Sequence, residues 1–251
     1  MKEPRFEPGA PTSDRPFNNL LRAIRDTEYA LIAPHLEILE SKPDDLLYNP
    51  GDNVEMVYFP CGPSLVSFLV GNEDGQDVET ILIGREGAVG GIVSFGHLPA
   101  YCRIIVKYGG GFVRLRVDAL ESAKSRSPRL RYLFGRYADC LLAQVFQSTA
   151  CNAIHSIEQR TAKWICAAME RTGNHIVPLT HEQLASMLGV GRSYASRVIQ
   201  KYKAEGVLET GRGSLRVVSS QKLKARSCRC NDSVKMHFDA VLRGIYPDSG
   251  N

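Results

Sequence analysis

No run of 18 consecutive apolar residues occurs in this chain of 251 residues, which excludes a helix that spans a bilayer. The first 16 residues lack an apolar core as well. Pro4, Pro8, Pro11 and Pro16 punctuate them instead, so residues 1–17 read as a flexible arm rather than a signal peptide, and the expected location is the cytoplasm with no membrane partner. Cysteine is sparse and odd in number: Cys61, Cys102, Cys140, Cys151, Cys166, Cys228 and Cys230. Their scatter suits reduced thiols and implies no disulfide framework. Only Cys228-Arg229-Cys230 is a close pair. His237 follows seven residues later, but a fourth ligand is not evident in the sequence, and no metal site is expected.

Catalytic patterns are missing too. The glycine-rich run from Gly84 to Gly91 does not open a helix after a strand and lacks the Lys-Ser/Thr ending of a phosphate-binding loop. His35, His97, His155, His175, His181 and His237 have no Ser or Cys with an acid at telling spacing, so an enzyme is not expected.

What is present is a polarised charge. Residues 156–251 hold 15 Lys+Arg against 8 Asp+Glu, a net of +7, whereas residues 1–155 hold 16 against 19, a net of −3. From Arg192 to Arg229 there are 10 basic and 2 acidic side chains. A local excess of that kind binds a phosphate backbone by counterion release, although a solvated basic face has the same composition.

The stretch from Leu179 to Lys203 gives that charge a framework. Thr180 is placed to cap a helix, and Gln183 to close a capping box with it. Ala185 is small where two helices approach, and Gly189 permits the turn between them. Leu184, Leu188, Val190, Ala195 and Val198 form one apolar face, leaving Arg192, Ser193, Ser196, Arg197 and Lys201 on the other. This is the spacing of a helix-turn-helix, which lays its second helix in the major groove of DNA. A plain amphipathic hairpin would show the same apolar face. Two alternating segments, Gly206–Thr210 and Ser214–Val218, flank Gly211-Arg212-Gly213 and predict a hairpin, a wing whose tip residue Arg212 could touch a phosphate.

The N-terminal half has a different texture. A helix is predicted over Asn18–Glu28 and a further turn over Ala30–Leu36. Short segments follow at Leu46–Tyr48, Met56–Phe59, Ser64–Val70, Asp77–Ile83, Cys102–Lys107 and Gly111–Val117, with turn residues such as Pro50-Gly51-Asp52 and Asn72-Glu73-Asp74-Gly75 between them. That pattern predicts a barrel or double-sheet roll. Helical sequence then opens at Asp118 or Ser127 and runs to about Ala153. Leu130, Leu133, Tyr137, Leu141 and Val145 recur on one face. A helix of roughly 25 residues would be about 37 Å long, more than one small barrel needs, so the stripe is expected to meet its counterpart in a second subunit. Packing wholly against its own barrel is the alternative. Ser156 and Gln159 open another helix, with the hinge at 152–156.

The fold class is therefore α+β: an N-terminal β-roll of the jelly-roll type over 18–127, a dimerisation helix and hinge over 128–155, a winged helix-turn-helix over 156–220 and a C-terminal extension over 221–251. In this order the elements resemble the Crp/Fnr family of bacterial transcription regulators across about residues 18–240. The resemblance is carried by Leu47-Tyr48-Asn49-Pro50-Gly51-Asp52, Val57-Tyr58-Phe59-Pro60, Gly84-Arg85-Glu86-Gly87-Ala88-Val89-Gly90, Ser156-Ile157-Glu158-Gln159-Arg160 and the helix-turn-helix.

The resemblance implies a homodimer on double-stranded DNA, reading a partly palindromic site with half-sites about 34 Å apart, and RNA polymerase as a further partner. It assigns base reading to Arg192, Ser193 and Arg197, with Ser193 standing where the family has a Glu. A hydroxyl does not accept from cytosine N4 as a carboxylate does, so the half-site sequence stays open. The sensor departs further. Gly91, beside Gly90, stands where a cyclic-nucleotide binder has its ribose-holding Glu, and Tyr101-Cys102 where it has the phosphate-holding Arg-Ser, with Arg103 adjacent. Val145 and Phe146 replace the base-contacting polar residues of the long helix. These losses argue against cyclic AMP as cofactor, and the lack of any cysteine before Cys61 argues against an iron-sulfur cluster. The competing expectation is a small-ligand or thiol-redox receptor whose roll controls DNA binding, with Cys102, Cys228 and Cys230 as candidate redox thiols.

Overall fold

The computed structural model describes residues 15–71, 73, 77–93 and 98–243. The expected arm up to residue 14, most of the predicted turn at 72–75 and the last part of the C-terminal extension lie outside the described residues. Two helices open the fold where the sequence predicts one. Asn18 caps α1 (Asn19–Ala23), its side-chain oxygen accepting from the Leu20 and Leu21 amides, and Ile24 and Arg25 then turn extended before α2 (Asp26–Ile32). Asn18 is wholly buried, and its amide donates to the carbonyls of Pro60 at 2.9 Å and Gly87 at 2.8 Å. The cap thus anchors the entry helix to the roll.

The roll consists of two antiparallel four-stranded sheets. One has the order β1 (Glu37–Ser41), β8 (Gly110–Arg116), β3 (Met56–Pro60), β6 (Val89–Gly90), and the other β2 (Leu46–Tyr48), β7 (Arg103–Tyr108), β4 (Leu65–Gly71), β5 (Asp77–Ile83). The six segments expected from alternation are all strands. β1 and β6 are the two that alternation misses, because Ile38 on β1 is exposed and β6 is two residues inside a glycine-rich run. Between the sheets Tyr48, Val66, Ile83, Val89, Cys102, Ile104, Val106 and Phe112 pack into one core.

After α3 (Val117–Arg126), Ser127 caps α4 (Pro128–Ile154) with Pro128 in the first turn, where its missing N–H goes unneeded. The first half of α4 lies against its own roll. Leu130, Leu133, Phe134 and Tyr137 are buried there with Val57, Phe59, Val113 and Leu115. Tyr137 accepts from the Ala88 amide at 2.9 Å and donates to the Ala88 carbonyl at 3.0 Å. A side chain at Gly87 would collide with the Tyr137 ring. Leu130, Leu133 and Tyr137, expected at a subunit interface, are therefore intrachain core: a stripe read from one helix does not say which surface covers it. Leu141 is partly covered by the same core, and Leu142, Val145 and Phe146 are exposed at 50, 37 and 64%.

The chain turns at His155 into α5 (Ile157–Thr172), opened by a full Ser156–Gln159 capping box. α5 and the helices that follow share a core with Leu65 and Leu82 of the roll, so the two halves are joined by apolar packing. Polar contacts reinforce the joint. Arg171 Nε donates to Glu86 at 2.6 Å, Asn174 to the Tyr108 hydroxyl at 3.0 Å, and the Trp164 indole to the carboxylate of Glu79, which also accepts from Ser67. At the C-terminal end, α8 (Ser220–Arg226) is followed by α9 (Cys230–Val241), which lies along α4 with Phe238 edge-on to Tyr137 at 6.4 Å.

Burial raises the pKa of Glu79 above the ordinary carboxylate value, against the opposing pull of the Ser67 and Trp164 hydrogen bonds and of Lys107 and Lys163. The folded chain thus holds this proton more tightly than the unfolded chain. Its stabilising contribution is present below the unfolded carboxyl value of about 4.3 and is lost as pH rises through the folded pKa. Glu79→Gln should flatten the fall of unfolding temperature between acid and neutral pH, which thermal melts of both proteins across that range will check.

Candidate nucleic-acid interface

The C-terminal unit is built on α6 (His181–Leu188) and α7 (Arg192–Ala204), with β9 (Ile176–Val177), β10 (Leu208–Gly211) and β11 (Ser214–Val217) forming a small sheet in the order β10-β11-β9. Thr180 and Gln183 close the capping box the sequence predicts. Gly189 then ends α6 in the left-handed region at φ 65°, a conformation that costs a residue with a Cβ. Its position turns the chain so that Leu184, Ala185 and Leu188 of α6 meet Ala195, Val198 and Ile199 of α7 in one core. Tyr202 closes the back of that core, its hydroxyl donating to the Glu158 carbonyl at 2.7 Å.

The opposite face of α7 is open. Arg192, Ser193, Tyr194, Arg197 and Lys201 are all exposed, and no acidic residue lies in the first turn. Arg192 faces Glu182 at 3.5 Å with both side chains about seven-tenths exposed. An exposed pair of this kind contributes at most about 1 kcal/mol, so a phosphate or base can displace it. Arg197 lies over the ring of Tyr194 at 5.1 Å. Lys201 contacts Glu158 at 2.7 Å, tying α7 to α5. Beyond α7, β10 and β11 form the expected hairpin, and Arg212 stands exposed in the turn between them.

One of the predicted surface residues faces inward. Ser196 is half-buried, with its hydroxyl 3.0 Å from His181 Nδ1. The pair bridges the two helices of the unit. Tyr194 is exposed on the open face of α7.

The residues assigned to an effector pocket do not converge. Tyr101 is 87% exposed, while Cys102 is buried in the roll core and burial pushes its thiol up, which removes it as a thiolate sensor. Arg103 pairs with Asp77 at 2.9 Å. Gly90 brings its backbone against Met56, and Gly91 lies beside Val117. Val145 and Phe146 look outward. The physical reason is that apolar side chains fill the space between the sheets. A cavity of about 310 Å³ lies elsewhere, between the roll and α4, α5 and α9, with Glu79, Arg85, Gln144, Arg160 and Trp164 among its lining. Cys228 and Cys230, paired in sequence with His237, stand instead beside Cys151 and His155, and His237 is exposed.

Residues 159–226 match the family described as the Crp-like helix-turn-helix domain. No curated protein sequence matches the chain. Among solved structures, it is similar to a Crp/Fnr-family regulator from Eubacterium rectale, with a TM-score of 0.65 and 14% identity, covering 84% of this chain and 98% of that one. It is also similar to FixK2 from Bradyrhizobium japonicum, at 0.64 and 14%, covering 77 and 98%. A third is CLP, the c-di-GMP-responsive global regulator of Xanthomonas campestris, at 0.63 and 16%, covering 78 and 100%. At these identities the likeness is one of fold.

Gly189→Ala should destabilise the helix-turn-helix by about 1–2 kcal/mol, the cost of a Cβ in the left-handed region. Thermal unfolding read by circular dichroism measures it; an unchanged melt would contradict the role given to this turn.

Proposed function

We propose that the chain, whose residues 159–226 match the Crp-like helix-turn-helix domain and whose fold is similar to that of a Crp/Fnr-family regulator, is a homodimeric, sequence-specific regulator of transcription. The observation that carries this reading is the exposed basic face of α7 beside the exposed Arg212 of the wing. Arg192 and Arg197 can each present a guanidinium fork to guanine O6 and N7. Ser193 supplies a hydroxyl in place of a carboxylate, so the half-site is set chiefly by the two arginines. Thr180, Lys201 and Arg212 contribute phosphate contacts that place the helix without reading sequence.

Dimerisation falls to the outer face of α4. Leu142, Val145 and Phe146 are large apolar residues on consecutive turns and exposed, and the counterpart helix of a second copy would cover them. A twofold arrangement then presents two copies of α7 to successive major grooves of a partly palindromic site. The protein acts in the cytoplasm, altering the access of RNA polymerase to promoters, and is not an enzyme.

A second reading concerns the signal. The 310 Å³ cavity touches the roll, α4 and α5 together, so a small ligand there would bear on both halves at once. A coupling between ligand and DNA affinity, equal in both directions, would identify it as the effector site.

Selection of bound sequences from a random DNA pool tests the main reading. Arg192→Ala and Arg197→Ala should each cost about 1–3 kcal/mol of specific affinity and relax the preference at one position. Lys201→Ala should weaken all sequences alike and lower the slope of log K against log salt by about one. An unselective pool would end the proposal. Phe146→Glu should convert the dimer to monomer in sedimentation analysis, and an unchanged dimer would place the interface elsewhere.

A further inference from the structure

Three buried cysteines, Cys151, Cys228 and Cys230, form a cluster of their own apart from the apolar cores. Two elements bring them together. Cys151 lies in the last turn of α4, and His155 caps that helix four positions later, on the same face. Cys228 precedes α9, and Cys230 is its first residue. The ligand atoms of Cys151, His155, Cys228 and Cys230 all lie within 4.8 Å of one another. We propose that these four residues form a Cys3His site for a single zinc-class divalent ion, which clamps the hinge end of α4 to the loop between α8 and α9.

The spacing favours this reading. A tetrahedral zinc ion with bonds of about 2.3 Å to sulfur and about 2.0–2.1 Å to nitrogen sets its sulfurs about 3.8 Å apart and sulfur from nitrogen about 3.5 Å. Cys151 Sγ stands 3.7 Å from Cys228 Sγ, and Cys230 Sγ 3.6 Å from His155 Nδ1. The sulfurs and the nitrogen thus already mark edges of the polyhedron. Three soft thiolates and an imidazole, with no carboxylate, select against magnesium and calcium. Ligand atoms so close together also enclose one ion, and leave no room for the body of a multi-iron cluster.

The surroundings complete the site. Gln147, one turn before Cys151, donates from Nε2 to Cys230 Sγ at 3.3 Å, the kind of contact that orients a ligand. Arg160 is close enough to Cys151 and Cys228 for their charges to act on it, and it offsets the net negative charge that three thiolates leave on a divalent ion. Its other contact is with the Leu188 carbonyl at 3.0 Å, at the end of α6. The ion would therefore sit one side chain away from the helix-turn-helix. An entry route exists, because Gln147, Asn152, Arg160 and Cys230 all line the 310 Å³ cavity. Binding converts three thiols to thiolates and releases their three protons, with the imidazole bound neutral.

The test uses the full chain, reduced, stripped with chelator under nitrogen and titrated with Co²⁺. One equivalent should bind with the intense visible bands of tetrahedral cobalt and a thiolate charge-transfer band in the near ultraviolet, and Zn²⁺ should displace it one for one. Cys228→Ser and His155→Ala should each lower the affinity more than 100-fold, Gln147→Leu about 10-fold, and Cys166→Ser, outside the cluster, not at all. The wild-type spectrum decides the matter even if a variant misfolds. Weak octahedral bands, sub-stoichiometric binding, or a Cys151–Cys228 disulfide that forms in place of ion uptake would each overturn the proposal.

Discussion

The rest of the structure depends on how the long helix is fixed to the roll. Tyr137 exchanges two hydrogen bonds with the backbone of Ala88 in a wholly buried setting, where an unpaired hydroxyl or peptide group would cost about 1–3 kcal/mol. The absence of a side chain at Gly87 makes the approach possible. Once Tyr137 is seated, Leu133 and Phe134 fall on the roll core, and the second half of α4 must project beyond it. Phe238 of α9 then closes over the same ring, so the C-terminal extension inherits its position from this contact.

From that projection follows the placement of the DNA-binding unit. α5 begins where α4 stops, and its buried indole meets the buried carboxylate of Glu79 on the roll. A polar group removed from water is tolerated only with hydrogen-bond partners; here Ser67 and Trp164 supply them. The joint therefore has a defined geometry rather than a greasy contact alone. It leaves α6 against the roll, through Ser186 and the Asp77 carbonyl, while α7 turns its basic face outward.

The roll and the helix-turn-helix differ in where they keep their polar groups. The inside of the roll is packed with aliphatic and aromatic side chains, and Gly87 in its glycine run lets Tyr137 of α4 approach. The helix-turn-helix keeps Arg192, Arg197 and Lys201 exposed, with Arg192 in an exposed pair with Glu182. Arg171, which reaches across to Glu86 of the roll, and Arg160, which holds the Leu188 carbonyl at the end of α6, both line the cavity between the halves.

Much of this was legible in the sequence, and the limit of legibility has a physical cause. Caps and turns are local: Thr180 with Gln183, Ser156 with Gln159, and Gly189 each act within a few residues, so spacing alone determined the helix-turn-helix, the wing and the alternation of the strands. Exposure of Arg192 and Arg197 followed from helical periodicity. Coverage is not local. Periodicity showed an apolar stripe on α4, but only tertiary packing decided that Leu130, Leu133 and Tyr137 belong to their own roll and that Ser196 turns inward to His181. The same holds for the cysteines. The sequence showed Cys228 and Cys230 as a pair without companions, whereas the fold brings Cys151 to Cys228 from 77 positions away, because α9 is held along α4 by side chains whose contacts no local pattern encodes.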